Sequence, residues 1–196
     1  MTILILNASP RQQGNVSRML LAMKEEAKNA NVQVDEVNIQ DLYIRPCTGC
    51  MVCREKSECR LPEDDAQRVL CKINSCNLLV IGAPCYWGNM PGTLKLLFDR
   101  IVYGLISKGN HGFPRPLHKG KHAILVTACT TVFPFNWLFN QSRGTINSIR
   151  SILKLSGFKI AAIIEKGGTG TSLVGEKELA HCRKAIRRFL KRHDQF

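Results

Sequence analysis

Residues 76–95, CNLLVIGAPCYWGNMPGTLK, decide the fold of this chain. The run Leu78, Leu79, Val80 and Ile81 is continuously apolar, without the polar alternation of a strand that faces water on one side. It reads as the centre of a parallel sheet covered on both faces. Ligands of such sheets bind outside the carboxyl ends of the strands. Pro84, Cys85, Tyr86, Trp87, Gly88 and Asn89 stand at that end, and they supply rigid turns, backbone amides and stacking surface for a planar heterocycle. Pro91 then starts a helix at its favoured first position. The same residues would also suit a plain strand-to-helix loop closed by an aromatic plug.

A second signal lies at the amino terminus. ILIL (3–6) is a short apolar strand, and NASPRQQGNVSRML (7–20) follows it directly. Ser9, Asn15 and Ser17 offer hydroxyl and amide groups, Arg11 offers a cation, and Gly14 lets the backbone approach closely where a helix begins near Asn15 or Val16. Free amides at a helix start beside a small polar loop make an anion site suited to a phosphate monoester. Ser and Asn are also ordinary caps. Capping, however, requires neither Arg11 nor Ser9.

The pattern along the chain is five βα units. Strands are expected near 2–8, 32–39, 77–83, 121–128 and 158–165, and helices near 15–29, 63–75, 92–107, 140–156 and 174–192. This alternation predicts an open parallel sheet. At 196 residues and 44% apolar content the chain can bury a sizeable core, with no long polar tract, internal repeat or linker. A single domain over 1–196 is expected, carrying a cysteine-rich loop at 46–62. HGFPRPLH (111–118) reads as an insertion before strand four. His111, His118 and His122 form no metal-binding spacing.

SPRQQGN (9–15) and APCYWGNMPGTLKLLFDR (83–100) together resemble the flavodoxin-like NAD(P)H-dependent FMN reductase family, and the order of strands and helices matches over essentially the whole chain. The resemblance implies a three-layer flavodoxin-like α/β fold, with five parallel strands in the order 2-1-3-4-5 and helices on both faces. It implies FMN, with the phosphate on Ser9, Arg11, Asn15, Val16 and Ser17 and the isoalloxazine against Pro84, Cys85, Tyr86, Trp87, Gly88 and Asn89. Thr127, Ala128 and Thr130, in VTACTTVFPFN (126–136), occupy the third ligand loop of this fold and would meet the ring edge. Members commonly carry a hydroxyl residue after the Gly-Asn, where this chain has Val16, so one phosphate contact must come from a backbone amide or from Ser17. Family members usually dimerise, and Phe133, Phe135, Trp137 and Phe139 are expected to pack a lid or a subunit contact.

Cys47, Cys50, Cys53 and Cys59 follow strand two in the pattern C-x2-C-x2-C-x5-C, between Pro46 and Pro62. Thiolates this close together suit an iron–sulfur cluster better than a structural zinc, whose paired ligands usually lie farther apart. The spacing resembles the iron–sulfur flavoproteins, relatives of the FMN reductases in which four cysteines hold a [4Fe–4S] cluster. The opposing reading is that thiols in a reducing compartment are small packing residues or simply free. Cys85 and Cys129, at the ends of strands three and four, are assigned no chemistry.

The formal charge of +13 predicts attraction to anions, whether NADPH, acidic redox partners, nucleic acid or a membrane surface. Lys177, Arg183, Lys184, Arg187, Arg188, Lys191 and Arg192 lie around a helix whose apolar face runs through Leu179, Ile186, Phe189 and Leu190. The ordinary reading is an amphipathic surface helix with a solvated basic face. No nucleic-acid motif accompanies it. No apolar stretch reaches the span of a membrane helix, and MTILILNASP is too short and too soon broken for a signal sequence, so a cytoplasmic location is expected.

Three functions remain open. The first is an FMN oxidoreductase that takes hydride from NAD(P)H and passes electrons to a quinone, flavin, nitro or azo compound, with ping-pong kinetics and no protein acid or base required. The second is an iron–sulfur flavoprotein electron carrier served by a ferredoxin-like donor. The third is a basic anion-binding protein on the same scaffold.

Overall fold

A computed structural model describes residues 1–109, 113–170 and 172–193. The elements run β1 (Thr2–Asn7), α1 (Asn15–Asn29), β2 (Gln33–Asn38), α2 (Cys53–Lys56), α3 (Asp65–Ser75), β3 (Leu78–Pro84), α4 (Gly92–Arg100) and α5 (Val102–Leu105). They continue with β4 (Ile106–Ser107), β5 (Arg115–Pro116), β6 (His122–Ala128), α6 (Phe135–Leu138), α7 (Gln141–Leu155), β7 (Lys159–Lys166) and α8 (Glu176–His193). The main sheet has the order β2-β1-β3-β6-β7, and every pair in it is parallel. Without the two-residue strands β4 and β5, which form a separate hairpin, this is the expected order 2-1-3-4-5.

The apolar runs explain the layering. Side chains alternate across a strand, so Leu4, Leu6, Leu79, Ile81, Ala83, Ala123 and Leu125 face α3, α4 and α7, all in one buried cluster. Ile3, Ile5, Leu78, Val80, Ile124, Val126 and Ala128 face α1 and α8 in a second cluster. The three inner strands are therefore buried on both faces. The edge strands β2 and β7 are only half buried, and β7 alternates exposed and partly buried residues along its whole length.

Gly82 sits in mid-strand for a steric reason. A Cβ there would lie 2.5 Å from Leu20 Cδ1 and 2.8 Å from Val16 Cγ1, so α1 can approach β3 only over a glycine.

The helix expected over 92–107 ends instead at Arg100. Ile101 and Val102 are β-branched and Gly104 is a poor helix former. Ile106 and Ser107 then pair with Pro116 and Arg115, within the segment expected to be an irregular insertion. In the same segment His118 is buried, with Nε2 2.9 Å from the Gly104 carbonyl. His111 lies outside the described residues.

The break at Arg100 turns its side chain inward, where it is fully buried. Arg100 Nη2 donates to Asp64 Oδ2 at 2.9 Å and to the Pro62 carbonyl at 3.3 Å, and Nη1 donates to Cys59 Sγ. Asp64 is also the N-cap of α3, accepting from the Ala66 amide at 2.9 Å within a capping box completed by Gln67. Its second oxygen accepts from the Arg45 amide at 3.0 Å. One carboxylate thus joins the loop after β2, the start of α3 and the end of α4.

Burial pushes the Asp64 carboxyl pKa upward, but the Arg100 hydrogen bond, the Arg45 and Ala66 amides and the Arg100 charge together hold it below the usual range. A depressed folded-state pKa stabilises the protein above the unfolded value and loses that stabilisation as pH falls through the folded value. Asp64→Asn keeps a good cap and removes the charge. It should destabilise the protein by about 3–5 kcal/mol at neutral pH, because it leaves Arg100 buried without its counter-charge. Urea midpoints of the two proteins should converge below about pH 3.9, as the wild-type carboxylate protonates; a difference independent of pH would contradict the ion-pair account.

Candidate functional site

Three loops meet at the carboxyl ends of β1, β3 and β6, as the parallel topology requires. In the first, Gly14 is the N-cap of α1, and among the described residues no side chain caps the first-turn amides. A Cβ on Gly14 would lie 2.9 Å from Arg11 Cβ and 3.1 Å from the Arg11 carbonyl, so the loop curls over a space that only glycine leaves open.

The five residues expected at the phosphate divide into two groups. Arg11 is exposed, and Ser9 holds the turn, its Oγ accepting from the Arg11 amide at 3.2 Å. Val16 and Ser17 point inward. Val16 packs in the core beside Gly82 and presents only its backbone to the loop. Ser17 Oγ donates to the Arg11 carbonyl at 2.8 Å and accepts from Asn7 Nδ2 at 3.1 Å. Asn15 Oδ1 accepts from the Val174 amide at 2.7 Å, tying the helix start to the segment before α8.

The second loop is a two-residue hairpin turn. Tyr86 and Asn89 exchange backbone hydrogen bonds at 3.0 and 2.9 Å, and Trp87 and Gly88 have φ of +53° and +70°. That backbone is the primed turn that glycine and asparagine favour. A tryptophan there is strained, and its side chain stands fully in solvent at 101% exposure, with Tyr86 half exposed beside it. Cys85 extends β3, its amide donating to the Ala128 carbonyl at 3.0 Å, and its thiol faces Gln141 Oε1 at 3.8 Å.

The third loop is tied to the turn after β7. The Cys129 amide donates to the Lys166 carbonyl at 2.9 Å, and Thr169 Oγ1 donates to the Cys129 carbonyl at 2.8 Å. Thr127 is fully buried, and among the described residues its hydroxyl has no hydrogen-bond partner. Of the three residues expected at the ring edge, only Thr130 is exposed; Ala128 is buried. Phe133, Phe135, Trp137, Leu138 and Phe139 project from the adjoining segment and α6, all substantially exposed. Arg143 lies over the Trp137 ring, 4.6 Å from its centroid.

Several residues that shape these loops carried no sequence signal. Asn7 is one: buried, it accepts from the Ser9 amide at 3.0 Å and donates to Ser17, so it sets the first loop. Its place at the end of an apolar run was the only available hint. Gln40 links the Ala8 carbonyl at 3.3 Å to Thr93 at 3.0 Å, joining the first loop to α4. α7 fixes the second loop, with Thr145 Oγ1 donating to the Asn89 carbonyl at 3.0 Å.

The cysteine loop lies apart from these three. Cys47, Cys50, Cys53 and Cys59 all line a cleft of about 700 Å³ bounded by Tyr103 and Arg100, and all four are free thiols. Gly49, Met51 and Ser57 have positive φ, so the loop winds tightly. Burial raises the Cys53 pKa, and the charges of Cys47, Cys59 and Cys50 raise it further, so the four groups sense one another. The Val52 amide, Thr48 and Arg60 outweigh slight desolvation at Cys50 and lower its pKa. Among the described residues, no group of three His, Cys, Asp or Glu side chains is close enough to hold a metal ion. No described helix is long and apolar enough to cross a membrane.

The profile of the Flavodoxin_2 family, a flavodoxin-like fold, matches residues 1–191. An iron–sulfur flavoprotein of Methanosarcina thermophila is 34% identical over 102 residues, which are 52% of this chain and 53% of that protein. The chain spans about half the length of this and three similar iron–sulfur flavoproteins. FMN-dependent NADH:quinone oxidoreductase 3 of Pseudomonas aeruginosa is 25% identical and aligns over 96% of this chain and 92% of its own. The crystal structure of an FMN-dependent NADH-azoreductase from Bacillus anthracis in complex with FMN superposes with a TM-score of 0.73 at 17% identity, covering 97% of this chain and 98% of that one. At that identity the likeness concerns the fold.

A Cβ on Gly144 would fall 2.0 Å from the Gly88 carbonyl. Alanine in a helix ordinarily gains up to about 1 kcal/mol over glycine, and Gly144 is the fourth residue of α7. Here the collision with backbone should reverse the sign. Gly144→Ala is expected to cost about 1–3 kcal/mol, read as a fall in Tm, and to displace the Tyr86–Asn89 turn. A rise in Tm would show that the turn yields freely.

Proposed function

The chain belongs to the Flavodoxin_2 family, and from that membership we propose that it is an FMN-dependent oxidoreductase that takes hydride from NAD(P)H and delivers electrons to a small acceptor of the quinone, flavin, nitro or azo class. The observation that carries the proposal is the pairing of an uncapped helix start over Gly14 with an exposed Tyr86–Trp87 turn at neighbouring strand ends. Relatives named for FMN-dependent NADH:quinone oxidation support the reaction class.

The residues present fit FMN. The first-turn amides of α1, Ser9 and Arg11 would hold the phosphate. Because Val16 is turned into the core and Ser17 is engaged with Asn7 and Arg11, the missing hydroxyl contact would come from the Val16 or Ser17 backbone amide. Pro84 to Asn89 would support the ring, with Tyr86 and Trp87 offering stacking surface and the turn amides offering donors to its polar edge. Thr130 and the backbone of Thr127 and Ala128 would close the other side. When bound, FMN supplies the hydride acceptance and electron release. The side chains have only to bind, orient and keep one ring face open.

We further propose a homodimer or higher homo-oligomer, since the apolar side chains of Phe133–Phe139 stand exposed beside these loops. Nine cysteines, all free, fit the reducing cytoplasm.

A second reading has its own observation. The four loop thiols border one cleft with buried Arg100 against Cys59, a donor set suited to an iron–sulfur cluster. On that reading the protein is an iron–sulfur flavoprotein fed by a ferredoxin-like donor.

The test is the visible spectrum of anaerobically purified protein before and after NADPH, with iron and acid-labile sulfide measured on the same sample. A flavin spectrum that NADPH bleaches, without iron, is the expected result for the reductase. About four irons per chain would instead make Cys47, Cys50, Cys53 and Cys59 ligands, and a colourless protein that takes up no FMN would remove both readings. Replacing Ser9 and Arg11 by Ala should weaken FMN retention at least about tenfold while leaving hydride transfer in the flavin-saturated enzyme nearly unchanged. Equal loss of both would refute the phosphate assignment.

A further inference from the structure

On the side of the molecule where β7 ends the sheet, a cleft of about 750 Å³ runs between that edge and α8. The two elements lie antiparallel. His122, paired in register with Lys159 at the start of β7, meets His193 at the end of α8 with ring centroids 4.6 Å apart. Lys166 at the end of β7 pairs with Glu178 at the start of α8 at 2.8 Å.

The chemistry of the cleft is one-sided. Lys159, Lys184, Arg188 and Arg192 line it with three histidines, against Glu165 as the acid in its wall. Among the described residues, none of these four cations has a carboxylate partner within 4.0 Å, whereas Arg183 and Arg187 on the same helix pair with Glu176 and Glu26. Lys184, Arg188 and Arg192 recur every fourth residue, so they form one stripe along the helix. The floor is apolar, through Ala162, Ile164, Ala185 and Phe189. Among the described residues the edge carries no neighbouring strand; a register shift opposite Ala123 and Ile124 leaves Ala161 unpaired as a bulge, and the regular stretch beyond it, Ala162 to Ile164, has none of the lysines or prolines that blunt an edge.

We propose that this cleft binds an extended acidic segment of a partner protein, which adds a strand to β7 and sets its acidic side chains against the α8 stripe. The spacing carries the argument. Four helical residues advance about 6 Å, and two strand residues advance about 6.6 Å. An added strand with an acid at every second position therefore meets one cation per helical turn, while its intervening side chains fall on the other face of the sheet beside exposed Ile163. A nucleic acid would satisfy the charges but use neither the open sheet edge nor the apolar floor. The far end of the cleft leads into Lys166 and the turn hydrogen-bonded to Cys129, so the bound segment would end beside the third loop of the candidate site.

The experiment is fluorescence anisotropy on the intact protein with a labelled peptide of alternating Glu and Val, as long as β7. Three comparisons accompany it: the same composition with the glutamates in one block, the alternating peptide N-methylated at every second amide, and a single-stranded RNA of equal charge. The alternating peptide should bind at least about tenfold tighter than the other three. Lys184→Glu with Arg188→Glu should weaken it at least about tenfold, while Lys177→Glu with Lys191→Glu, an equal charge change outside the cleft, should change it less than about twofold. Equal binding of the block peptide, the methylated peptide or the RNA, or equal loss in the two double variants, would overturn the proposal and reduce α8 to a diffuse basic surface.

Discussion

The inner strands are buried on both faces, pair in parallel and return through helices that cover them, and this constraint arranges the rest of the molecule. β1, β3 and β6 carry side chains with almost no exposure on either face. Their polar neighbours are therefore expelled to the strand ends. Asn7, Cys85 and Thr130 come together there without any local attraction between them. The binding loops are a by-product of burying the strands, which is why chemistry gathers at that edge of the sheet.

The legible part of the sequence was the part governed by short range. Apolar runs located the inner strands β1, β3 and β6 to within about two residues, because a doubly covered strand leaves no polar position in its middle, and the half-buried edge strands β2 and β7 followed from the βα alternation around them. The start of α1 followed from Gly14 and the polar loop before it, and the structure buries Val16, Met19, Leu20 and Met23 along the inner face of that helix. The Val16 departure from the reductase pattern has a packing reason, contact with α1's crossing over Gly82, that only the assembled sheet discloses. The break in the expected 92–107 helix has a local component in Ile101, Val102 and Gly104, but the Asp64 partner that holds Arg100 inward lies 36 residues away and leaves no local mark. Likewise, nothing local marks Gln40 or Thr145 as loop supports, since their partners are carbonyls brought near by topology.

Arg100 connects two parts of the molecule that the sequence treats separately. Its guanidinium reaches the α3 cap and the cysteine loop at once, so the position of Cys59 is set by the same group that holds α3 to α4. That buried cation anchors Cys59, one end of a loop that has only one short helix and three left-handed residues and whose four thiols line a common cleft. The order of that loop is borrowed from the main core.

The contact between Gly144 and the Gly88 carbonyl has an evolutionary reading. Position 144 alone cannot acquire a side chain while the turn keeps its path, and the turn cannot move inward while α7 stays where it is. The two positions are sterically coupled. A relative with a side chain at residue 144 would have to take the Tyr86–Asn89 turn along a different path, and with it would change the shape of the surface above the turn and the choice of molecules admitted there.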